Sequence, residues 1–308
     1  MANRPDGLDG VVLAIYGPTA SGKSDVAEAI AERIPAELVS ADAMQAYRGL
    51  PILTNQSAYP ARLVGIWPLS HESSVAEYAP LAHAAIDEIL AAGRTPVVVG
   101  GTGLYLRAAL TDLHVPPRPV PGARARLEEL YDRLGPEAAH AALAERDPAA
   151  AAHVHPNDRR RVVRALELAE AGASLRPARD RLWSADTRRP TLLFGLDVPR
   201  DDLVARIEER TRRMFEAGVE EEVRAALAEP ISQTARMIHG LHDIAELQRD
   251  EAIEAYNRRV RRYAAYQRKW MRKLPNATIV RAQAGAGETA DAILEMARTR
   301  QRVPDRAS

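Results

Sequence analysis

The sequence predicts an α/β fold in which a parallel sheet carries helices on both faces, with a purely helical segment inserted into it. Short apolar runs with the length of buried strands, such as 11–16 and 95–99, alternate with segments whose apolar residues recur at helical spacing. A glycine-rich turn follows the first of these runs. A long alanine-rich stretch, from 123 to about 171, has helical spacing and no strand pattern.

Composition and charge exclude several classes of protein. The chain has 308 residues, 46% of them hydrophobic, which is enough for a large core. With 42 basic and 42 acidic residues the net charge is zero, so any nucleic-acid contact must come from local patches. The absence of cysteine excludes disulfides, zinc–thiolate sites and cysteine nucleophiles. Residues 1–10 are polar and no run is long enough to span a membrane, so we expect a cytoplasmic protein without membrane association.

The first part of the chain alternates strand and helix patterns. Apolar residues of the helix patterns recur every three or four positions, and Pro35 and Gly93 end two of these patterns. We expect strands at 11–16, 37–40 and 95–99, and helices at 25–33, 75–89 and 104–110. Such alternation is typical of a parallel sheet that is covered on both faces.

The pattern changes at His114. A proline-rich linker at 116–121 leads into the alanine-rich helical stretch, and strand patterns return only at 191. Beyond that point we expect strands at 191–197 and 277–280, and helices at 201–217, 219–228 and 250–273. The sequence therefore predicts a catalytic core formed by 1–113 and 190–308, with a helical insertion at 114–189.

The glycine-rich turn is Gly17-Pro18-Thr19-Ala20-Ser21-Gly22-Lys23-Ser24, which fits the pattern G-x-x-x-x-G-K-[ST]. Between a strand and a helix, such a loop surrounds an oxyanion with backbone N–H groups, and the helix N-terminus adds positive charge. Lys23 would reach a terminal phosphate, and the Ser24 hydroxyl would bind Mg²⁺. The pattern predicts a P-loop NTPase-like sheet and a ligand that carries a di- or triphosphate.

Two aspartates follow predicted strands, at the sheet edge where ligands bind in such folds. Asp42 could bind a metal, act as a general base or cap a helix, although Gly49 interrupts the segment that it would cap. Asp197 resembles the magnesium-binding aspartate of nucleotide hydrolases, but we favour a strand-end turn before Pro199. The Gly100–Gly103 segment lacks dinucleotide-binding spacing, and we interpret it as a tight strand-to-helix turn.

Basic residues concentrate in two patches. One lies in the helical insertion and consists of Arg159, Arg160, Arg161 and Arg164. The other lies on the last long helix, where aromatic residues are interleaved: Arg258, Arg259, Arg261, Arg262, Arg268, Lys269, Arg272 and Lys273, with Tyr263, Tyr266 and Trp270. Two such patches suggest a polyanion such as RNA, whereas for the aromatic residues we favour a buried stripe beneath a solvated charged face.

A further pair of arginines is separated by one helical turn. Arg206 and Arg210 either face a diphosphate together or form surface salt bridges with Glu208 or Glu209.

Taken together, these segments resemble the tRNA dimethylallyltransferase family. The resemblance extends in unbroken order from Val11 to Lys273. Besides the phosphate loop, the matching segments are 40–49, 99–105, 155–158, 161–167 and 206–210, together with Gln267 and Trp270.

The resemblance implies transfer of a dimethylallyl group from dimethylallyl diphosphate to N6 of the adenosine that follows the anticodon (position 37), with Mg²⁺ as cofactor. It implies that Asp42 takes the N6 proton and that Thr19 donates to the leaving oxygen. Lys23, Arg206 and Arg210 would neutralise the leaving diphosphate. Contacts with the tRNA anticodon stem-loop are implied for Asp42, Ala43, Met44, Gln45, Thr102, Arg124, Arg160, Arg161 and Arg164. We expect the protein to be a monomer.

The sequence also departs from the family pattern. Leu50–Gln56 stands where a Gly-Thr-Ala-Lys segment is usual, 62–67 stands where two histidines are usual, Leu241 replaces a tyrosine, and Tyr266 replaces an arginine. The Thr54-Asn55-Gln56 piece is closer to enzymes that prenylate free adenine nucleotides, so an adenylate prenyltransferase is the second hypothesis. A small-molecule kinase or NTPase and a non-catalytic RNA-binding relative are the third and fourth.

Overall fold

The computed structural model describes residues 8–113, 122–175, 181–283 and 285–302. The chain divides into two compact units, one formed by Met1–Asp112 with Ala185–Ser308 and the other by Leu113–Ser184. The proline-rich linker expected at 116–121 lies outside the described residues. No described helix has the length and hydropathy needed to cross a membrane.

The larger unit is built on a six-stranded sheet. Its strands are β1 (Val12–Tyr16), β2 (Ala36–Ser40), β3 (Ala61–Arg62), β4 (Thr95–Gly100), β5 (Thr191–Asp197) and β6 (Thr278–Arg281). Their order is β3-β2-β4-β1-β5-β6 and every pairing is parallel. In the central strand, Leu13 lies opposite Val97 on one side and Leu192 on the other. All carboxyl ends therefore meet at one edge of the sheet.

Twelve helices occur among the described residues. They are α1 (Lys23–Arg33), α2 (Val75–Ala91), α3 (Gly103–Leu110), α4 (Ala123–Leu134), α5 (Pro136–Arg146), α6 (Pro148–Ala151), α7 (Arg159–Glu170), α8 (Arg200–Glu216), α9 (Val219–Leu227), α10 (Leu241–Glu246), α11 (Arg249–Met271) and α12 (Ala286–Arg302). A 3₁₀ turn, Ala235–Met237, precedes α10.

Both faces of the sheet are covered. On one face α1 and α12 pack on alternate strand residues such as Leu13, Ile15 and Val97, and these side chains form one buried cluster. The intervening residues point to the other face, which α2 and α3 cover. Because neither face meets water, the strands are almost wholly apolar, and polar chemistry is confined to the carboxyl edge. The predicted α/β class is confirmed.

The smaller unit contains α4 to α7 and has its own core. Leu127, Tyr131, Leu143, Val162 and Leu166 are among the buried side chains that pack together there. Asp147 and Asp158 cap α6 and α7, each by accepting a hydrogen bond from a first-turn N–H group. No strand occurs in its described part, as the alanine-rich helical pattern predicts.

Three elements were not expected from the sequence. β3 has two residues, which is too short for a periodic pattern, and it exists because Ala61 and Arg62 pair with β2. Helix α10 follows Gly240, whose φ of 88° turns the chain sharply. Helix α12 buries Ala290, Ile293, Leu294 and Ala297 against α1, a spacing that the sequence does contain.

Candidate active site at the carboxyl edge of the sheet

The phosphate loop joins β1 to α1 at the middle of the carboxyl edge. Gly22 begins the helix with φ 82°, and Ala20 also adopts a left-handed conformation, φ 62°. Gly22 has no side chain to cap α1, so the first-turn N–H groups are available to a ligand. Residues 19–25 line a cavity of about 740 Å³, whereas Gly17 and Pro18 lie outside its lining. The loop can therefore bind an anion along its second half.

Lys23 lies in this cavity in a partly buried position. Its Nζ donates to the carbonyl oxygen of Pro18 at 3.4 Å. Burial lowers the pKa of Lys23 to about 8; the charge of Arg210 acts in the same direction, while Asp42 and Asp25 act in the opposite direction. The positive charges of Lys23 and Arg210 are therefore close enough to repel each other, as expected of a site that binds an anion.

Asp42 follows the carboxyl end of β2 and lines the same cavity. Its Oδ1 accepts a hydrogen bond from the backbone N–H of Met44 at 3.0 Å, which closes a tight turn. The next N–H, that of Ala43, donates to Oγ1 of Thr102 at 3.2 Å. Asp42 caps no described helix, and the described residues contain no cluster of three or more metal-binding side chains. Its place and turn geometry suit a general base.

Arg206 and Arg210 both line the cavity from α8. Neither forms a salt bridge with a residue in the described ranges, so the surface-pair alternative does not hold for them. Glu208 pairs instead with Arg261 at 2.8 Å. Glu209 pairs with Arg212 at 2.7 Å. Both arginines are thus open to an anionic ligand.

Gln267 joins the phosphate loop to the glycine-rich turn after β4. Its side chain is 1% exposed, its Oε1 accepts from the N–H of Thr19 at 2.7 Å, and its Nε2 donates to the oxygen of Gly101 at 2.8 Å. A Cβ at Gly101 would collide with this amide, which explains the glycine. The family resemblance included Gln267 without giving it a role, and its partners lie too far away in sequence for a local pattern to identify them.

The remaining candidates occupy different places. Asp197 is not in the cavity lining and pairs with Arg268 at 3.2 Å, as a structural strand-end residue would. Thr102 holds Ala43 and lies 3.4 Å from the hydroxyl of Tyr263. The expected buried aromatic stripe is wrong for Tyr266, which is 54% exposed because α11 turns this residue away from the sheet.

The Thr54-Asn55-Gln56 piece also lines the cavity. It is held by amide contacts: Nε2 of Gln45 donates to the Asn55 oxygen at 3.0 Å, and Nε2 of Gln56 donates to the Tyr47 oxygen at 2.9 Å. The sequence analysis did not identify Arg213, Gln283 and Thr289, whose polar side chains also line the cavity.

The four arginines expected to contact tRNA in the insertion lie in the smaller unit. Arg164 pairs with the buried carboxylate of Glu167 at 3.1 Å, and Arg124 pairs with Glu128 at 3.0 Å. Arg161 lies 3.4 Å from Asp158, while Arg160 is exposed and pairs with no carboxylate in the described chain.

Comparison with known proteins identifies the family. A model of the family described as "IPP transferase" matches residues 45–274, and one described as "Isopentenyl transferase" matches residues 10–65. A tRNA dimethylallyltransferase of Streptomyces coelicolor is 42% identical over 277 residues, which cover 86% of this chain and 88% of that protein.

Solved structures agree with this match. The tRNA isopentenylpyrophosphate transferase of Bacillus halodurans is 31% identical with a TM-score of 0.66, and the match covers 96% of this chain and all of the other. A eukaryotic dimethylallyltransferase that acts on tRNA, 23% identical with a TM-score of 0.77, shares the fold; the match covers 97% of this chain and 82% of that one. The chain belongs to the tRNA dimethylallyltransferase family of prenyl transferases.

Proposed function

We propose that this protein transfers a dimethylallyl group from dimethylallyl diphosphate to N6 of the adenosine that follows the anticodon, position 37 of tRNA. Family membership supports the reaction class. The observation that carries the assignment to this site is that one cavity contains both the phosphate loop and the Asp42 carboxylate. A leaving diphosphate and a departing proton can thus be handled side by side.

The cationic residues of the cavity assist departure of the diphosphate. The C1–O bond of the substrate breaks, and its electron pair goes to the diphosphate. Lys23, Arg206 and Arg210 neutralise that charge, which costs little reorganisation because they already face the cavity. The Thr19 hydroxyl donates to the oxygen that is released.

The residues present fit a magnesium ion. Mg²⁺ prefers oxygen ligands and commonly takes one or two protein oxygens together with phosphate oxygens and water. Ser24 lines the cavity at the first turn of α1, and Asp25 follows it. Ser24 would hold the ion, which would supply additional charge neutralisation at the diphosphate.

The acceptor half needs a base because the adenine N6 lone pair is delocalised into the ring. As the N6–C1 bond forms, the N6 proton passes to Asp42. The hydrogen bonds that fix Asp42 through Met44 and Ala43 keep the carboxylate in place while the target base enters. The adenosine must leave the stack of the anticodon loop to reach it.

The basic residues of the two patches bind the tRNA. In the smaller unit, Arg160, Arg161 and Arg164 contact the anticodon stem-loop. Phosphate contacts of this kind give an affinity that falls steeply with salt. We expect the enzyme to act as a monomer in the cytoplasm.

A second candidate is prenylation of free adenine nucleotides. It is favoured by one observation: the second family match covers the phosphate loop and the Thr54-Asn55-Gln56 piece, which lines the cavity.

A transfer assay separates the candidates. Labelled dimethylallyl diphosphate and Mg²⁺ are offered with unmodified tRNA and, in parallel, with AMP, ADP and ATP. Label in tRNA alone supports the proposal, whereas label in a nucleotide supports the second candidate. ATP hydrolysis without any transfer would contradict both.

A further inference from the structure

The basic residues of α11 fall into two groups. Four of them are neutralised: Arg249 pairs with Glu220 at 2.6 Å, Arg259 with Asp243 at 2.6 Å, Arg261 with Glu208 at 2.8 Å, and Arg268 with Asp197 at 3.2 Å. By contrast, Arg258, Arg262 and Lys269 form no salt bridge within the described residues. Arg258 lies within electrostatic range of the Asp243 carboxylate, which is already paired with Arg259. These three cations can therefore bind a further anion.

These three cations share one face of α11 with Tyr266. Positions 258, 262, 266 and 269 are separated by four, four and three residues, so they lie on one stripe of the helix. The stripe is opposite the buried face, which includes Val260, Gln267 and Met271. The aromatic ring of Tyr266, 54% exposed, therefore shares its stripe of the helix with three cations that form no salt bridge within the described residues. We name Arg258, Arg262, Tyr266 and Lys269 the α11 stripe.

A row of aromatic rings connects the stripe to the active site. The Tyr266 ring lies nearly parallel to that of Tyr263, with a 23° angle between the planes and 6.5 Å between centroids. Trp270 meets Tyr266 at 6.4 Å in an edge arrangement. The Tyr263 hydroxyl is 3.4 Å from Oγ1 of Thr102, the residue that holds the turn after Asp42. The row thus begins near Asp42, the proposed general base, and ends at the solvent-exposed ring of Tyr266.

A second cavity of about 410 Å³ lies beside this row. Arg258, Arg262 and His239 line it together with Tyr263 and with the ion pair of Arg259 and Asp243. Since His239 packs edge-on against Tyr263, with centroids 4.5 Å apart, the cavity and the row share a wall. Positive charge and aromatic surface therefore adjoin each other at the same place.

We propose that Tyr266 is a stacking surface for an unpaired base of the anticodon loop next to the target adenosine, and that Arg258, Arg262 and Lys269 bind the adjoining phosphates. The inference rests on the proposed function. Unpaired RNA bases stack on exposed aromatic side chains irrespective of sequence, and nearby cations bind the backbone. When the target adenosine leaves the stack of the anticodon loop, the nucleotides beside it become available for stacking. The aromatic row leads from Asp42, the proposed general base, to Tyr266, where such a neighbouring nucleotide can stack.

The test compares Tyr266→Ala with Tyr266→Phe, using the full-length protein and an unmodified tRNA. Loss of one stacked base is expected to raise KM for tRNA about tenfold in the alanine variant and less than about twofold in the phenylalanine variant. The KM for dimethylallyl diphosphate and the melting temperature stay as in the wild type, because Tyr266 is exposed and outside the diphosphate cavity. Ile279→Ala removes a similarly exposed apolar side chain, 52% exposed, and is the matched control.

A direct readout uses anticodon stem-loops that carry 2-aminopurine at one loop position at a time. Stacking quenches its fluorescence, so wild type and Tyr266→Phe should quench at the same position and Tyr266→Ala should not. For the phosphates, Arg262→Ala should reduce the salt slope of stem-loop binding by about one, while Arg261→Ala, whose guanidinium already pairs with Glu208, should change it less.

Wild-type KM and unchanged quenching in Tyr266→Ala would overturn the inference, as would a phenylalanine variant as weak as the alanine one. In both cases transfer of label to tRNA by the wild-type enzyme would leave the proposed function standing. A wild-type enzyme that labels no tRNA would overturn the proposed function itself and the stacking inference with it.

Discussion

The backbone N–H of Thr19 donates a 2.7 Å hydrogen bond to Oε1 of Gln267, a residue 248 positions further along the chain. Through its other amide atom, Gln267 also holds Gly101. One buried side chain of α11 therefore fixes the phosphate loop and the turn after β4 relative to each other. The loop is shaped by its own glycines and is also held by a helix from the far end of the sequence.

Replacing Gln267 should disturb substrate binding more than its distance from the reacting atoms suggests. In Gln267→Leu the size is nearly kept, but the Thr19 N–H and the Gly101 oxygen lose their partners, which should cost about 2 kcal/mol of folding stability. We expect a lower melting temperature and a KM for dimethylallyl diphosphate raised about tenfold, since the loop is released. Thermal unfolding and steady-state kinetics measure the two effects. An unchanged KM would show that the loop holds its shape without Gln267.

Asp42→Asn should lower kcat about 10²- to 10⁴-fold, because an amide cannot accept the N6 proton. The affinity for tRNA should be nearly unchanged, since the amide oxygen can still accept from the Met44 N–H. Asp197→Asn is the matched control: that carboxylate ends β5 at the same edge of the sheet but pairs with Arg268 outside the cavity, so kcat should stay within a few-fold of wild type. Equal losses of kcat and tRNA affinity in Asp42→Asn would instead mean that Asp42 is structural.

Diphosphate binding should weaken as pH rises through about 8. Burial lowers the pKa of Lys23 to about 8 in the free protein, so the cationic form, which attracts the anion, is lost above that pH. Between about pH 7 and 8, where the terminal phosphate of the ligand is ionised, affinity should change little, and above pH 8 it should fall towards tenfold per pH unit.

Calorimetric titration of the protein with the diphosphate measures the affinity at each pH. Repeating it in buffers of different ionisation enthalpy measures proton uptake, because binding above pH 8 should take up a proton. Lys23→Arg should remove the dependence, since arginine remains charged throughout this range. Affinity that stays constant from pH 7 to 9.5 in the wild type would show that Lys23 is not the titrating group.

Arg210→Ala should lower kcat/KM for dimethylallyl diphosphate about 10²-fold, because a cation already positioned at the developing charge is lost. Arg212→Ala, two residues away on the same helix, is the control: its guanidinium pairs with Glu209 and Glu216 and is outside the cavity lining. Kinetics with tRNA held at saturation compare the two. Similar effects in both variants would mean that net charge, rather than position in the cavity, determines the loss.

Much of this architecture could be predicted from local patterns. The phosphate loop has fixed spacing, and the strands are apolar because both sheet faces are covered. The place of Asp42 at the carboxyl edge could be predicted because it follows β2, whereas its position alone left three roles open. Gln267 could not be assigned a role because its partners are brought near only by the fold. Exposure of Tyr266 also escaped prediction, since aromatic spacing on a helix does not tell which flank meets the core.

The most direct test of the central claim is to identify the nucleoside that the purified enzyme makes. Unmodified tRNA is incubated with dimethylallyl diphosphate and Mg²⁺, digested to nucleosides and analysed by mass spectrometry, with Asp42→Asn in parallel. We predict N6-isopentenyladenosine, mapped to the position that follows the anticodon, from the wild type and almost none from the variant. If the tRNA contains no modified nucleoside, or if the prenyl group is found only on added AMP, the proposed transfer to tRNA is contradicted.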